Sequence, residues 1–137
     1  MPDQRITVLL VDDQPFIGSM VRLLLAAEQD IDLHCCLKAV DAVAQANQIH
    51  PTIILQDLVL PDIDGLTLVG MFRANSSTAA VAIIVLSGND DAETRARALA
   101  AGADDYLVKL PAKAEFVACL RRHAEPASVG TAATNPR

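Results

Sequence analysis

Tryptophan is missing from this chain, and one tyrosine and three phenylalanines bring the aromatic share of its 137 residues to only 3%. With 52% of residues hydrophobic, the core must be aliphatic, a mix of Val, Leu, Ile and Ala that suits parallel strands covered by helices on both faces. Positive charge is also scarce. Eleven basic residues face 17 acidic ones for a net charge of −6, and no basic cluster exceeds Arg121-Arg122. Proteins that grip nucleic acid carry a basic patch, so no direct nucleic-acid partner is expected. No apolar run approaches the roughly 20 residues that span a bilayer, and the N-terminal MPDQRITVLLVDD lacks a signal-type segment. No membrane partner is expected, and the expected location is cytoplasmic. Cys35, Cys36 and Cys119 lack C-x-x-C spacing and are odd in number. Adjacent strand residues point to opposite faces, so Cys35 and Cys36 read as packing residues rather than a disulfide or metal pair. His34, His50 and His123 are scattered, which argues against a metal-binding or catalytic histidine.

What is present is an alternation. Five apolar runs, Ile6–Val11, Ile31–Leu37, Thr52–Leu55, Val81–Leu86 and Tyr106–Val108, are separated by segments of helical period. Ile17, Met20, Val21 and Leu24 share one helix face, with Pro15 suited to a first turn. Val40, Val43 and Ala44 form the second such set; Leu68, Val69 and Phe72 the third. Ala92, Ala96, Leu99 and Ala103 form the fourth, closed by Gly102, and Phe116, Val117 and Leu120 the fifth. This predicts a (βα)₅ α/β domain with a doubly wound, five-stranded parallel sheet, because right-handed crossovers leave few other topologies. The length suits one domain. From about Glu125 onward, EPASVGTAATNPR has no apolar period, so 125–137 reads as a disordered tail or the start of a linker.

An open sheet of this kind binds its ligand outside the carboxyl ends of the strands. Asp12-Asp13, Asp57, Ser87 and Lys109 close four of the five strands and so converge on one edge. Three clustered carboxylates repel one another, more so in a low dielectric, and a cation among the oxygens relieves this. Mg²⁺, a hard ion held by few carboxylates and often a phosphate, fits. A cation, a lysine and a hydroxyl around one carboxylate predict phosphoryl transfer, which needs positioning and charge stabilisation above all. Asp57 is the expected nucleophile, forming an acyl phosphate. Ser87 and Lys109 would contact the phosphoryl oxygens, and Gly88 would leave space for the incoming group. Each residue alone has an ordinary structural reading, Asp13 as a helix cap for example; their joint placement favours a site. The pairs Asp62/Asp64, Asp90-Asp91 and Asp104-Asp105 read as loop and helix-start carboxylates.

These segments, VLLVDDQP (8–15), ILQDLVLPDIDG (54–65), IIVLSG (83–88) and AGADDYLVKLP (101–111), resemble the CheY-like receiver domain of two-component response regulators. The resemblance covers about residues 5–123 and places a receiver domain at 1–124. It implies a flavodoxin-like strand order 2-1-3-4-5. It also implies phosphorylation of Asp57 by a histidine kinase or phosphotransfer protein, with Mg²⁺ on Asp12, Asp13, Asp57 and the backbone carbonyl of Val59. In the implied switch Ser87 moves to the phosphoryl group and Tyr106 follows inward, remodelling the fourth helix, fifth strand and fifth helix to control an output domain, a partner protein or a phosphorylation-dependent homodimer. A signalling receiver rather than an enzyme is therefore expected. Among receivers, QDLVLPDIDGLTL with YLVKLP is most similar to those fused to diguanylate cyclases, although the GGDEF-type motif is absent from this chain. Two departures stand out. The family's Lys-Pro is Lys109-Leu110-Pro111 here, and a cis Lys-Leu bond costs about 3–4 kcal/mol, so a differently built loop is expected. Gln56 stands where a hydrophobic residue often precedes the acceptor.

Other classes are weighed against this. Haloacid-dehalogenase-like phosphatases and phosphotransferases use a D-x-D motif after the first strand and a cap domain, whereas here Asp12 and Asp13 are adjacent. A nucleotide or flavin module would need a Gly-rich phosphate loop after the first strand, which is missing. A pseudo-receiver acting only as an interaction module would not need the intact Asp12, Asp13, Asp57, Ser87 and Lys109 set.

Overall fold

The computed structural model describes residues 5–125; all but the first residue of the expected tail, 125–137, lies outside them. Every apolar run of the sequence is a strand, with ends displaced by no more than one position: β1 Ile6–Val11, β2 Ile31–Cys36, β3 Ile53–Gln56, β4 Ala82–Ser87 and β5 Asp105–Val108. They form one parallel sheet in the order β2-β1-β3-β4-β5, the expected flavodoxin-like topology. Between them run helices α1 Pro15–Leu24, α2 Ala42–Ile49, α3 Gly65–Ala74 and α4 Ala92–Ala101, and α5 Lys113–Ala124 follows β5. None of the described helices is long and apolar enough to cross a membrane.

Strand alternation divides the aliphatic residues between two cores. Val8, Leu10, Ile53, Leu55, Ile84 and Leu86 pack with Ile17 and Val21 of α1 and Phe116 and Leu120 of α5. Leu9, Val11, Ile54, Ile83 and Val85 pack on the other face with α2, α3 and α4, around Leu68, Val69 and Phe72. Cys36 lies in this second core and Cys35 against the first, so the adjacent pair does straddle the sheet; all three cysteines are free thiols.

Helix ends follow the sequence signals more faithfully than helix faces do. Pro15 occupies the first turn of α1, Asp64 and Asp91 cap α3 and α4 by accepting the Thr67 and Thr94 amides, and Gly102 closes α4 at φ 125°. Two faces differ from expectation. In α2 the buried residues are Ala42 and Ala46, while Val40 is exposed in a 3₁₀ turn, Ala39–Asp41, that resets the helical phase. In α4 Ala98 is the buried residue, with Ala103 just beyond the helix, and Leu99 points outward at 43% exposure. An Ala-rich helix has too little contrast between its faces for period alone to select one.

Candidate functional site

The register of the sheet assembles the site. Val11 pairs with Gln56, Gln56 with Val85, and Ser87 with Val108, so the residues that follow these pairs meet at one edge. Asp57 donates its amide to the Val11 carbonyl at 3.0 Å, and Lys109 donates its amide to the Ser87 carbonyl at 2.8 Å. Oxygens of Asp12, Asp13 and Asp57 all lie within 4.8 Å of one another. Between two of these carboxylates sits the Lys109 ammonium, 2.9 Å from Asp12 Oδ2 and 3.1 Å from Asp57 Oδ2. The Lys109–Leu110 peptide that carries it is cis, so the loop keeps this isomer although leucine stands in the proline position.

The two buried aspartates are held differently. Asp57 Oδ1 accepts the amides of Leu58 and Val59 at 2.8 and 3.3 Å, and its Oδ2 accepts from Lys109. Asp12 Oδ1 accepts the Gln14 amide at 3.0 Å. Its Oδ2 is buried and takes no aligned hydrogen bond among the described residues; the ammonium 2.9 Å away is close enough for charge attraction but poorly oriented to donate. A buried anionic oxygen held only by a shared ion pair suits a further cation as a partner.

Burial pushes the Asp57 carboxyl above the usual carboxylate range. The nearby Asp12 charge adds to this, and Lys109 only partly opposes it. Burial by itself would pull the Lys109 ammonium down, but contacts with Asp12 and Asp57 outweigh it and the net shift is upward. The asymmetry has a simple origin. Two carboxylates share one ammonium, so the lysine is well neutralised and Asp57 is not.

The remaining expected residues fall around this centre. Ser87 is buried, with its Oγ accepting the Asn89 amide at 3.1 Å. A side chain at Gly88 would meet no atom within 4 Å, so the space beside it is open. Val59 is exposed and touches the site through its backbone. Tyr106 is buried: the residue is 2% exposed, its hydroxyl donates to the Asn89 carbonyl at 2.5 Å, and the Arg95 guanidinium covers it 4.8 Å from the ring centre. It therefore already occupies an inward position.

Three supporting residues were not singled out for these roles by sequence reasoning. Gln56, fully buried, donates from Nε2 to the carbonyls of Asp57 at 3.2 Å and Gly65 at 2.9 Å, tying the two ends of the β3–α3 loop together. Gly65 approaches so closely that a Cβ there would lie 2.4 Å from Leu58 Cα. Asn89 links Ser87 to Tyr106 through its amide and carbonyl. A buried polar residue in an apolar run, and a glycine at a helix start, were the available signals.

Comparison with known proteins gives concordant matches. The family model described as the response regulator receiver domain matches residues 8–121. The transcriptional regulatory protein TrcR of Mycobacterium tuberculosis is 34% identical over 116 residues, 85% of this chain and 44% of that protein. Protein PilG of Pseudomonas aeruginosa is 28% identical over 116 residues, 85% of each chain. The present chain thus spans about half the length of a transcriptional relative and most of PilG. Among solved structures, the BeF₃-activated N-terminal receiver domain of Klebsiella pneumoniae RstA superposes with a TM-score of 0.81 at 27% identity, over 88% of this chain and 99% of that one.

Proposed function

Because this chain belongs to the response regulator receiver domain family of two-component signalling, we propose that Asp57 is its phosphoacceptor and that Mg²⁺ assists the transfer. The observation that carries this reading is the close set of Asp12, Asp13 and Asp57 with Lys109 bridging two of them and one buried Asp12 oxygen left without a hydrogen bond. Asp12, Asp13, Asp57 and the Val59 carbonyl would hold the ion. When bound, Mg²⁺ supplies positive charge that offsets the carboxylate repulsion and the charge on the phosphoryl oxygens.

The chain's own residues do the rest. A carboxylate oxygen of Asp57 bonds to phosphorus as the bond to the donor, a phosphohistidine of a kinase or phosphotransfer protein, breaks; the leaving imidazole keeps the electron pair. Backbone amides of Leu58 and Val59 hold the carboxylate in place. Lys109 can turn from Asp57 Oδ2 to a phosphoryl oxygen, and the Ser87 hydroxyl can donate to another, both as charge-assisted hydrogen bonds. The Ser87–Asn89–Tyr106 chain of hydrogen bonds supports a switch reading in which the phosphoryl group biases the packing of α4, β5 and α5. Output then passes to a domain beyond residue 124 in a longer protein, a transcriptional module or a diguanylate cyclase, or to a separate partner or second copy.

Acetyl phosphate with Mg²⁺ should add one acid-stable, base-labile phosphoryl group, read by intact mass. Asp57→Ala should abolish it, while Asp62→Ala and Asp64→Ala should not. Parent-level labelling of Asp57→Ala would overturn the assignment.

A further inference from the structure

We propose that Asp105, Cys119 and His123 form a second metal site, one suited to Zn²⁺ rather than Mg²⁺. The three side chains come from two elements. Asp105 opens β5, and Cys119 and His123 lie four residues apart on one face of α5. Asp105 Oδ2 is the common centre, 2.8 Å from His123 Nε2 and 3.5 Å from Cys119 Sγ. One donor atom from each residue falls within 4.8 Å of the other two. Oδ1 of the same carboxylate accepts the Tyr106 amide at 2.8 Å, which fixes its orientation as a partner around a metal ligand does.

The donor set decides the ion. Carboxylate oxygen, thiolate sulfur and imidazole nitrogen together suit Zn²⁺, which takes all three in tetrahedral sites; Mg²⁺ prefers oxygen alone. A carboxylate and a thiolate also balance a divalent charge. Asp105 and Cys119 also line a cleft of about 450 Å³, through which solvent reaches the cluster. Water can complete the set.

Three features of this arrangement must change. The proton that His123 Nε2 places on its hydrogen bond to Asp105 Oδ2 moves to Nδ1, which frees the Nε2 lone pair for the metal. Arg122 Nη2 lies 3.0 Å from Asp105 Oδ2, but its side chain is 62% exposed and free to swing into solvent. Burial, helped by the Asp105 charge, pushes the Cys119 thiol up to about 11, so binding breaks the S–H bond, forms S–Zn and releases the proton to solvent. The occupied site would fasten α5 to β5 beside Tyr106. It shares no ligand with the Asp57 centre, so the two readings stand or fall separately.

The test uses the full chain with excess Mg²⁺ and Co²⁺ as the probe, followed by displacement with Zn²⁺. One equivalent of Co²⁺ should produce a thiolate-to-cobalt charge-transfer band and the visible absorption of a four-coordinate ion, both erased by Zn²⁺. Cys119→Ser should lose the charge-transfer band. His123→Gln, at a position outside the two apolar cores with 20% of its side chain exposed, should weaken binding about tenfold or more, and Asp57→Asn should leave it unchanged. No thiolate band in the parent, a band surviving Cys119→Ser, or unaltered affinity in His123→Gln would show that the cluster is only an ion-paired staple.

Discussion

Burial makes the Asp57 anion, which its proposed chemistry uses, costlier than an exposed carboxylate would be. Its side chain is only 8% exposed and shares Lys109 with Asp12, which leaves its carboxyl above the ordinary value of 3.8. A carboxyl raised in the folded state contributes stability that is present below the unfolded value and lost as pH rises through the folded one. In metal-free buffer, Asp57→Asn should therefore gain stability over the parent as pH rises from below 3.8 toward neutrality. Urea unfolding across that range measures it, and a parent and variant that track each other at every pH would refute this account of the site. Asp12 is a poorer position for such a test, because its Oδ1 also accepts the Gln14 amide and its loss would disturb the turn into α1.

At the scale of elements, the acceptor loop between β3 and α3 is shaped by close backbone approach rather than by side-chain bulk. The Gly65 amide donates to the Leu58 carbonyl at 3.1 Å, and Gln56 holds the Gly65 carbonyl. Gly65→Ala would ordinarily favour a helix by up to about 1 kcal/mol. Here the new Cβ would sit 2.5 Å from the Leu58 oxygen, so the loop must shift. A net loss of about 1–3 kcal/mol and slower phosphorylation from acetyl phosphate are expected. Asp64→Ala, which removes only the cap on Thr67, should cost about 1 kcal/mol and leave the phosphorylation rate near that of the parent. Thermal melts and a labelling time course separate the two variants. Equal rates in both would mean that the Gly65 contact does not position Asp57.

For the whole molecule, three carboxylates at one edge offset by one lysine make the folded state a better ligand for Mg²⁺ than the unfolded chain. Magnesium at about 100 times its dissociation constant should add about 2.7 kcal/mol of stability. Asp13→Ala should lose most of that gain, since Asp13 is half-buried and stands outside the Lys109 ion pairs. Melts with and without Mg²⁺ provide the measurement; a parent protein that melts identically in both has no such site.

How much of this could be read from the chain follows from the range of each interaction. The strands are encoded locally, because a parallel strand buried on both faces is a continuous apolar run, and the acidic residues that follow β1 and β3 mark the edge proposed to hold the ligand. Helix starts are local too: Pro15, Asp64 and Asp91 act within one turn of their own position. Helix faces were readable where Leu, Val and Phe contrast with polar neighbours, as in α3, and not in Ala-rich α4. Tertiary structure alone decided what depends on distant segments meeting. Lys109 reaches Asp57 across 52 positions of sequence, and the Tyr106 hydroxyl finds a carbonyl 17 positions away. The Asp105–Cys119–His123 cluster exists because β5 lies against α5 in a phase that no local period encodes. Sequence determined which residues could form a site; the register of the sheet and the rotation of each helix determined which of them touch.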